Sequence, residues 1–206
     1  MAHQLTDVSV MGSGVSEPLE LRVSPGKIGM WVFLAGEIMI FGGLIGCFVL
    51  LRLAHGGWAA EGEHVNWRIG AFNTLVLLTS SMSMALALGE ARRNNADGVK
   101  ICLAITALLG LAFLGIKGFE YSREIGEGFT PWSGLFWNFY YMLTGLHAMH
   151  VAVGVAVNST FLGLTARRGL VSTSALHLEF AGLYWHFVDL VWIFLFPLVY
   201  LSTNVK

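Results

Sequence analysis

The chain has 206 residues, 55 % of them hydrophobic and 12 % charged, with a mean hydropathy of +0.67. A soluble domain of this length carries about twice that charged fraction, so composition points to an integral membrane protein. A formal net charge of -1 gives no basic surface for nucleic acid, so no such partner is expected.

Residues 1–26 are mostly polar and include Gly12, Gly14, Pro18 and Pro25. They are expected to form a mobile tail, with no secretory signal, ahead of one membrane domain over 27–206. A spanning helix needs about 20 predominantly apolar residues, and five segments qualify. The first, about 28–51, is interrupted only by Glu37, and the second, about 69–88, has no charge. The third, about 99–121, carries Lys117 and Glu120 near its far end. The fourth, about 135–164, carries His147 and His150; the fifth, 181–201, carries His186 and Asp189. These runs are continuous and too long for barrel strands, which alternate over about ten residues. The expected fold is therefore all-α, a membrane bundle of five transmembrane helices, each satisfying its own backbone groups in lipid.

Orientation follows from the basic residues of the short loops. One side holds Arg22, Lys27, Arg92, Arg93, Lys100, Arg167 and Arg168; the other holds Arg52, Arg68, Arg123 and Lys206. The N-terminus is thus expected in the cytoplasm and the C-terminus outside. Cys47 and Cys102 fall within apolar runs and read as small core residues, not as a disulfide. On the first helix Gly29, Gly36 and Gly43 recur every seven residues, and Gly42 and Gly46 form a GxxxG pair. Tight packing inside one bundle is the expected use of these small residues.

The fourth helix places Tyr140, Thr144, His147, His150, Gly154 and Asn158 at steps of three or four, on one face. The fifth does the same with Glu179, Gly182, His186, Asp189 and Ile193. Polar residues in a span face protein interior rather than lipid, so these two faces are expected to meet each other or a partner. At about 1.5 Å per residue, Glu37 lies roughly 15 Å and Asp189 roughly 18 Å in from the cytoplasmic side. His150 sits at similar depth, so the three are expected near one another. A lone charge there costs at least about 2.5–3.5 kcal/mol, a cost lowered by pairing or by protonation of a carboxyl. Glu37, His147, His150, Glu179, His186 and Asp189 together make the candidate polar cluster. It is compatible with structural fastening, with a proton path, or with a metal or haem site built on His147, His150, His186 and Asp189. His-x-x-His alone is a weak ligand motif, and structural fastening is preferred. Lys117 and Glu120, one turn apart near the outer interface, read as a snorkelling pair. Trp132, Trp137, Tyr140 and Tyr141 read as an aromatic belt.

Five stretches carry a resemblance: "FLAGEIMIFGG" (33–43), "FNTLVLLTSSMSMALA" (72–87), "FLGIKGFEYSREI" (113–125), "MLTGLHAMHVAVG" (142–154) and "YWHFVDLVWIFLFPLVYL" (184–201). In this order they resemble subunit III of the haem-copper oxidases. "FLGIKGFEY", "GFTP", "LTGLHAMH" and "VWIFLFPLVYL" are most similar to the subunit III-like accessory protein of nitric oxide reductases. The resemblance implies a non-catalytic subunit of a terminal oxidase in the bacterial inner membrane, with no cofactor of its own. Haem with copper or iron would reside in a partner, subunit I, and bound phospholipid is implied. It also implies that Glu37 matches the family's buried, carbodiimide-reactive carboxyl. The alternatives are an accessory subunit of a nitric oxide reductase and a small membrane haem or metal protein. Family members with two further N-terminal helices hold lipid in a cleft beside them; no span precedes residue 27 here, so a cleft of that type is not expected.

Overall fold

The structure, a computed structural model, describes residues 25–58, 64–168 and 172–201; the polar tail expected over 1–26 lies almost wholly outside them. Five helices follow in order: α1 Pro25–Ala54, α2 Trp67–Arg92, α3 Ala96–Gly126, α4 Leu135–Arg168 and α5 Ser172–Phe196, which continues as a π-helical turn, Pro197–Leu201. All five are long and apolar enough to cross a membrane, and the described residues contain no strand. The all-helical, five-span reading of the sequence holds.

Side-chain oxygens start two of these helices. Asn66 accepts from the amides of Arg68 and Ile69 at 3.1 and 3.4 Å, and Asn95 accepts from that of Gly98 at 3.2 Å. Each satisfies amides that lack an intrahelical partner. Between α2 and α3 the chain reverses in three residues. Asn94 takes the left-handed conformation there, at φ 55°, which asparagine tolerates better than most side chains.

The layout is polar inside and apolar outside. Met39, Leu108 and Phe119 are 78 %, 65 % and 67 % exposed, whereas Asn73, Ser80, Thr106, Thr144 and His147 are fully buried. This is the arrangement a bilayer selects, because the surrounding lipid is as apolar as leucine and offers polar groups nothing. α2 packs along α3 and α5, and α4 along α3 and α5. Across α2 and α3, the Ser80 and Ser83 hydroxyls donate to the carbonyls of Thr106 and Cys102 at 3.1 and 2.9 Å. Trp185 fills the centre. Its indole N–H donates to Ser80 Oγ at 3.2 Å, and its ring lies over Gly110 of α3 and Gly154 of α4. A β-carbon at either glycine would stand 2.6–2.8 Å from the ring carbons.

α1 lies at the edge, packed on α5 and α4. It meets them through Leu34, Phe41 and Phe48, all buried and spaced seven apart. Gly29, Gly36 and Gly43 share that spacing two positions on, about 200° round the helix. They therefore face away. A β-carbon at Gly29, Gly36, Gly42, Gly43 or Gly46 would meet nothing within 4 Å. The expectation that these glycines pack inside the bundle is corrected: aromatic and leucine side chains do that work from the opposite face.

Candidate functional site

The candidate residues occupy four places. At the first, α4 meets α1. His150 Nε2 stands 3.1 Å from Glu37 Oε2, with the two side chains 9 % and 15 % exposed. The other ring nitrogen, Nδ1, lies 2.8 Å from the carbonyl of Leu146. A carbonyl only accepts, so Nδ1 carries the hydrogen and Nε2 is the atom presented to Glu37. Phe41 sets its ring edge-on to the imidazole at 5.4 Å. Tyr184 of α5 donates to the carbonyl of His150 at 3.1 Å. One histidine thus ties three helices together.

The second place is the middle of the bundle. His147 is fully buried between Phe113 of α3, edge-on at 5.5 Å, and Trp192 of α5, stacked at 5.0 Å. Neither of its ring nitrogens has a hydrogen-bond partner. His147 and His150 therefore diverge although they are three residues apart, one toward α3 and α5 and the other toward α1.

The third place is the contact of α5 with α2. His186 Nδ1 lies 2.7 Å from the Ser81 hydroxyl. Asp189, 4 % exposed, has both carboxylate oxygens without a hydrogen bond of good geometry, although the Ser81 hydroxyl lies beside it. The polar face of α5 thus turns to α2 and not to the histidines of α4. Asp189 is not brought to Glu37. The reason is packing: α2 lies along α5, so a serine hydroxyl is the nearer partner for a polar group on that face.

The fourth place is the end of the bundle where α1 and α5 begin and α2 ends. Glu179 reaches Lys27 Nζ at 3.7 Å and Arg92 Nη2 at 3.6 Å, and its side chain is 34 % exposed. It is a partly solvated ion pair of small energetic weight, apart from the deep residues it was grouped with.

The six candidates therefore do not form one cluster. Among the described residues no three His, Cys, Asp or Glu side chains converge as a metal-ligand set. His147, His150 and His186 each face a different helix, so these three do not converge as a ligand set.

Lys117 and Glu120 are not a snorkelling pair. They are 2 % and 3 % exposed, with Nζ 3.0 Å from Oε2. Lys117 also donates to the hydroxyls of Tyr140 (3.0 Å) and Tyr200. Tyr200 donates to Glu120 Oε1 at 2.8 Å, and Tyr140 to Glu124 Oε1 at 2.9 Å. α3, α4 and the π-helical turn close this cluster. Sequence reasoning missed Glu124 and Tyr200. The available signal was the spacing of Lys117, Glu120 and Glu124, three and four residues apart and so on one helix face.

The fold and these sites define a polytopic helical membrane protein with ionisable side chains buried at several separate helix contacts. Residues 19–204 match the family described as cytochrome c oxidase subunit III, and the chain belongs to that family. It is 37 % identical over 179 residues to cytochrome c oxidase subunit 3 of Bacillus subtilis (strain 168), covering 86 % of each chain. It is 34 % identical over 187 residues to quinol oxidase subunit 3 of the same organism, covering 89 % of this chain and 92 % of that one. It is 35 % identical over 178 residues to a probable quinol oxidase subunit 3 of Staphylococcus haemolyticus (strain JCSC1435), covering 85 % and 88 %. The family expected from the motifs is the family found. These relatives carry oxidase names, which favours an oxidase over a nitric oxide reductase.

Proposed function

We propose that the chain is the non-catalytic subunit III of a bacterial haem-copper terminal oxidase, a multi-pass protein of the plasma membrane. The observation that carries this reading is the subunit III match over 19–204. Oxygen reduction, haem and copper belong to a catalytic partner, subunit I, in a multi-subunit complex. The N-terminus lies in the cytoplasm, as supported by Lys27, Arg92, Arg93, Lys100 and Arg167 at one end of the bundle. The Glu37–His150 pair, the Ser81–His186 bond and the Lys117 cluster act as internal fasteners, giving the complex a rigid flank that keeps proton uptake by the partner productive.

Membrane phospholipid is the second expected partner. A groove of about 350 Å³ between α1, α4 and α5 is lined by Met30, Phe33, Val153, Val157, Phe161 and Tyr184. Its apolar walls suit an acyl chain. The test of the function is co-purification in mild detergent. A large haem-bearing chain should come down with this one in fixed ratio; isolation of this chain without any such partner from cells respiring on oxygen overturns the reading.

A further inference from the structure

We propose that Glu124 is a proton-holding site: a buried carboxylic acid, not a carboxylate, completing the Lys117–Glu120–Tyr140–Tyr200 cluster. The inference comes from counting hydrogens, and it does not depend on the chain being an oxidase subunit.

Lys117, as an ammonium, has three hydrogens. Its bonds go to Glu120 Oε2, to the oxygen of Tyr140 and to the oxygen of Tyr200. The hydrogen of Tyr200 goes to Glu120 Oε1 at 2.8 Å. Glu120 is then bonded on both oxygens, one bond coming from a cation, which is what an ionised carboxylate needs. One hydrogen is left, that of Tyr140. It stands 2.9 Å from Glu124 Oε1 and 3.1 Å from Glu120 Oε1. Glu124 is the nearer acceptor and has no other bond, whereas Glu120 already accepts two, so this hydrogen is assigned to Glu124.

Glu124 receives nothing more. It is 4 % exposed, and its Oε2 is buried with no hydrogen-bond partner. The charged and titratable groups around it are Lys117, Glu120, Tyr121, Arg123, Tyr140, Tyr141 and Tyr200; the Tyr121 hydroxyl is bonded to Thr144 at 2.6 Å and that of Tyr200 to Glu120. Lys117 is committed to Glu120. Arg123 turns outward, its Nε 2.9 Å from Glu127 and its side chain 44 % exposed. Tyr141 donates its single hydrogen to the carbonyl of Phe129 at 2.7 Å, so its oxygen can only accept. An ionised Glu124 would be a second negative charge beside one committed cation, with an oxygen left bare in a low-dielectric interior. A proton on Oε2 removes both faults. It makes the cluster neutral and leaves no bare carboxylate oxygen in the interior. A metal or alkali cation fits poorly, since the Lys117 ammonium already occupies the centre.

The full-length chain in lipid nanodiscs tests this by infrared spectroscopy at neutral pH. Wild type should show a protonated-carboxyl C=O band that is lost in Glu124→Gln and retained in Glu120→Gln. Glutamine mimics a protonated glutamate, so Glu124→Gln should also keep the fold. The proposal is overturned if Glu124→Gln removes no such band. Should Glu124→Gln fail to accumulate, ¹³C-glutamate labelling of wild type decides: the Glu124 carboxyl carbon resonating as an acid supports the site, and as a carboxylate overturns it.

Discussion

His150 of α4 holds Glu37 of α1 at 3.1 Å, a largely buried ionisable pair through which the peripheral helix meets the core. Leu146 fixes the ring by accepting from Nδ1. α1 otherwise rests on Leu34, Phe41 and Phe48, with the partly solvated Lys27–Glu179 pair at its start, so the more buried Glu37–His150 pair is expected to set its depth and rotation. Glu37→Gln keeps a polar partner for Nε2 and should change thermal stability of the full chain little. Glu37→Leu leaves Nε2 unpartnered and should cost about 1–3 kcal/mol. Thermal denaturation in detergent checks both; equal midpoints for Leu and Gln variants would remove the fastening role.

The Lys117–Glu120 pair should behave as a desolvated pair. Removing either partner alone, by Lys117→Met or Glu120→Leu, strands the other charge and should cost about 3–5 kcal/mol. The double variant should recover a large part of that loss. A double-mutant cycle on thermal or denaturant unfolding measures the coupling. Near-additive losses would mean that the two groups are held by Tyr140 and Tyr200 and not by each other.

The glycines divide into two kinds. Gly154→Ala would place a β-carbon 2.6 Å from two carbons of Trp185, whose indole is pinned by Ser80. It should destabilise the chain by about 1–3 kcal/mol. Gly43→Ala meets nothing within 4 Å and should be neutral or stabilising, because alanine favours a helix over glycine by roughly 0.5–1 kcal/mol. Unfolding midpoints of the two variants settle this; a loss at Gly43 in the full chain alone would show a packing partner for α1 within the bundle.

Much of this fold could be read from the residues. Five apolar runs became five helices because length and composition suffice in lipid. Burial of His147, His150 and Asp189 followed from the cost of putting them anywhere else. Partnership was not legible. Which helix His186 faces depends on α2 lying along α5, and no local pattern encodes that. Glu179 was placed too deep because α5 starts at Ser172, earlier than its apolar run. Lys117 and Glu120 were placed too shallow because α3 runs on to Gly126, and because Tyr200, 83 residues from Lys117 in sequence, closes over them. The heptad of Leu34, Phe41 and Phe48 is present in the sequence beside the glycine heptad, and small-residue spacing alone does not distinguish the face that packs from the face that does not.

The most direct test of the central claim, that this chain supports a redox centre housed in a neighbour, compares the oxidase complex purified with and without it. The account predicts unchanged haem absorbance and initial rate of oxygen consumption, with far fewer turnovers before activity is lost. Haem or copper leaving in one-to-one proportion with this chain would contradict it.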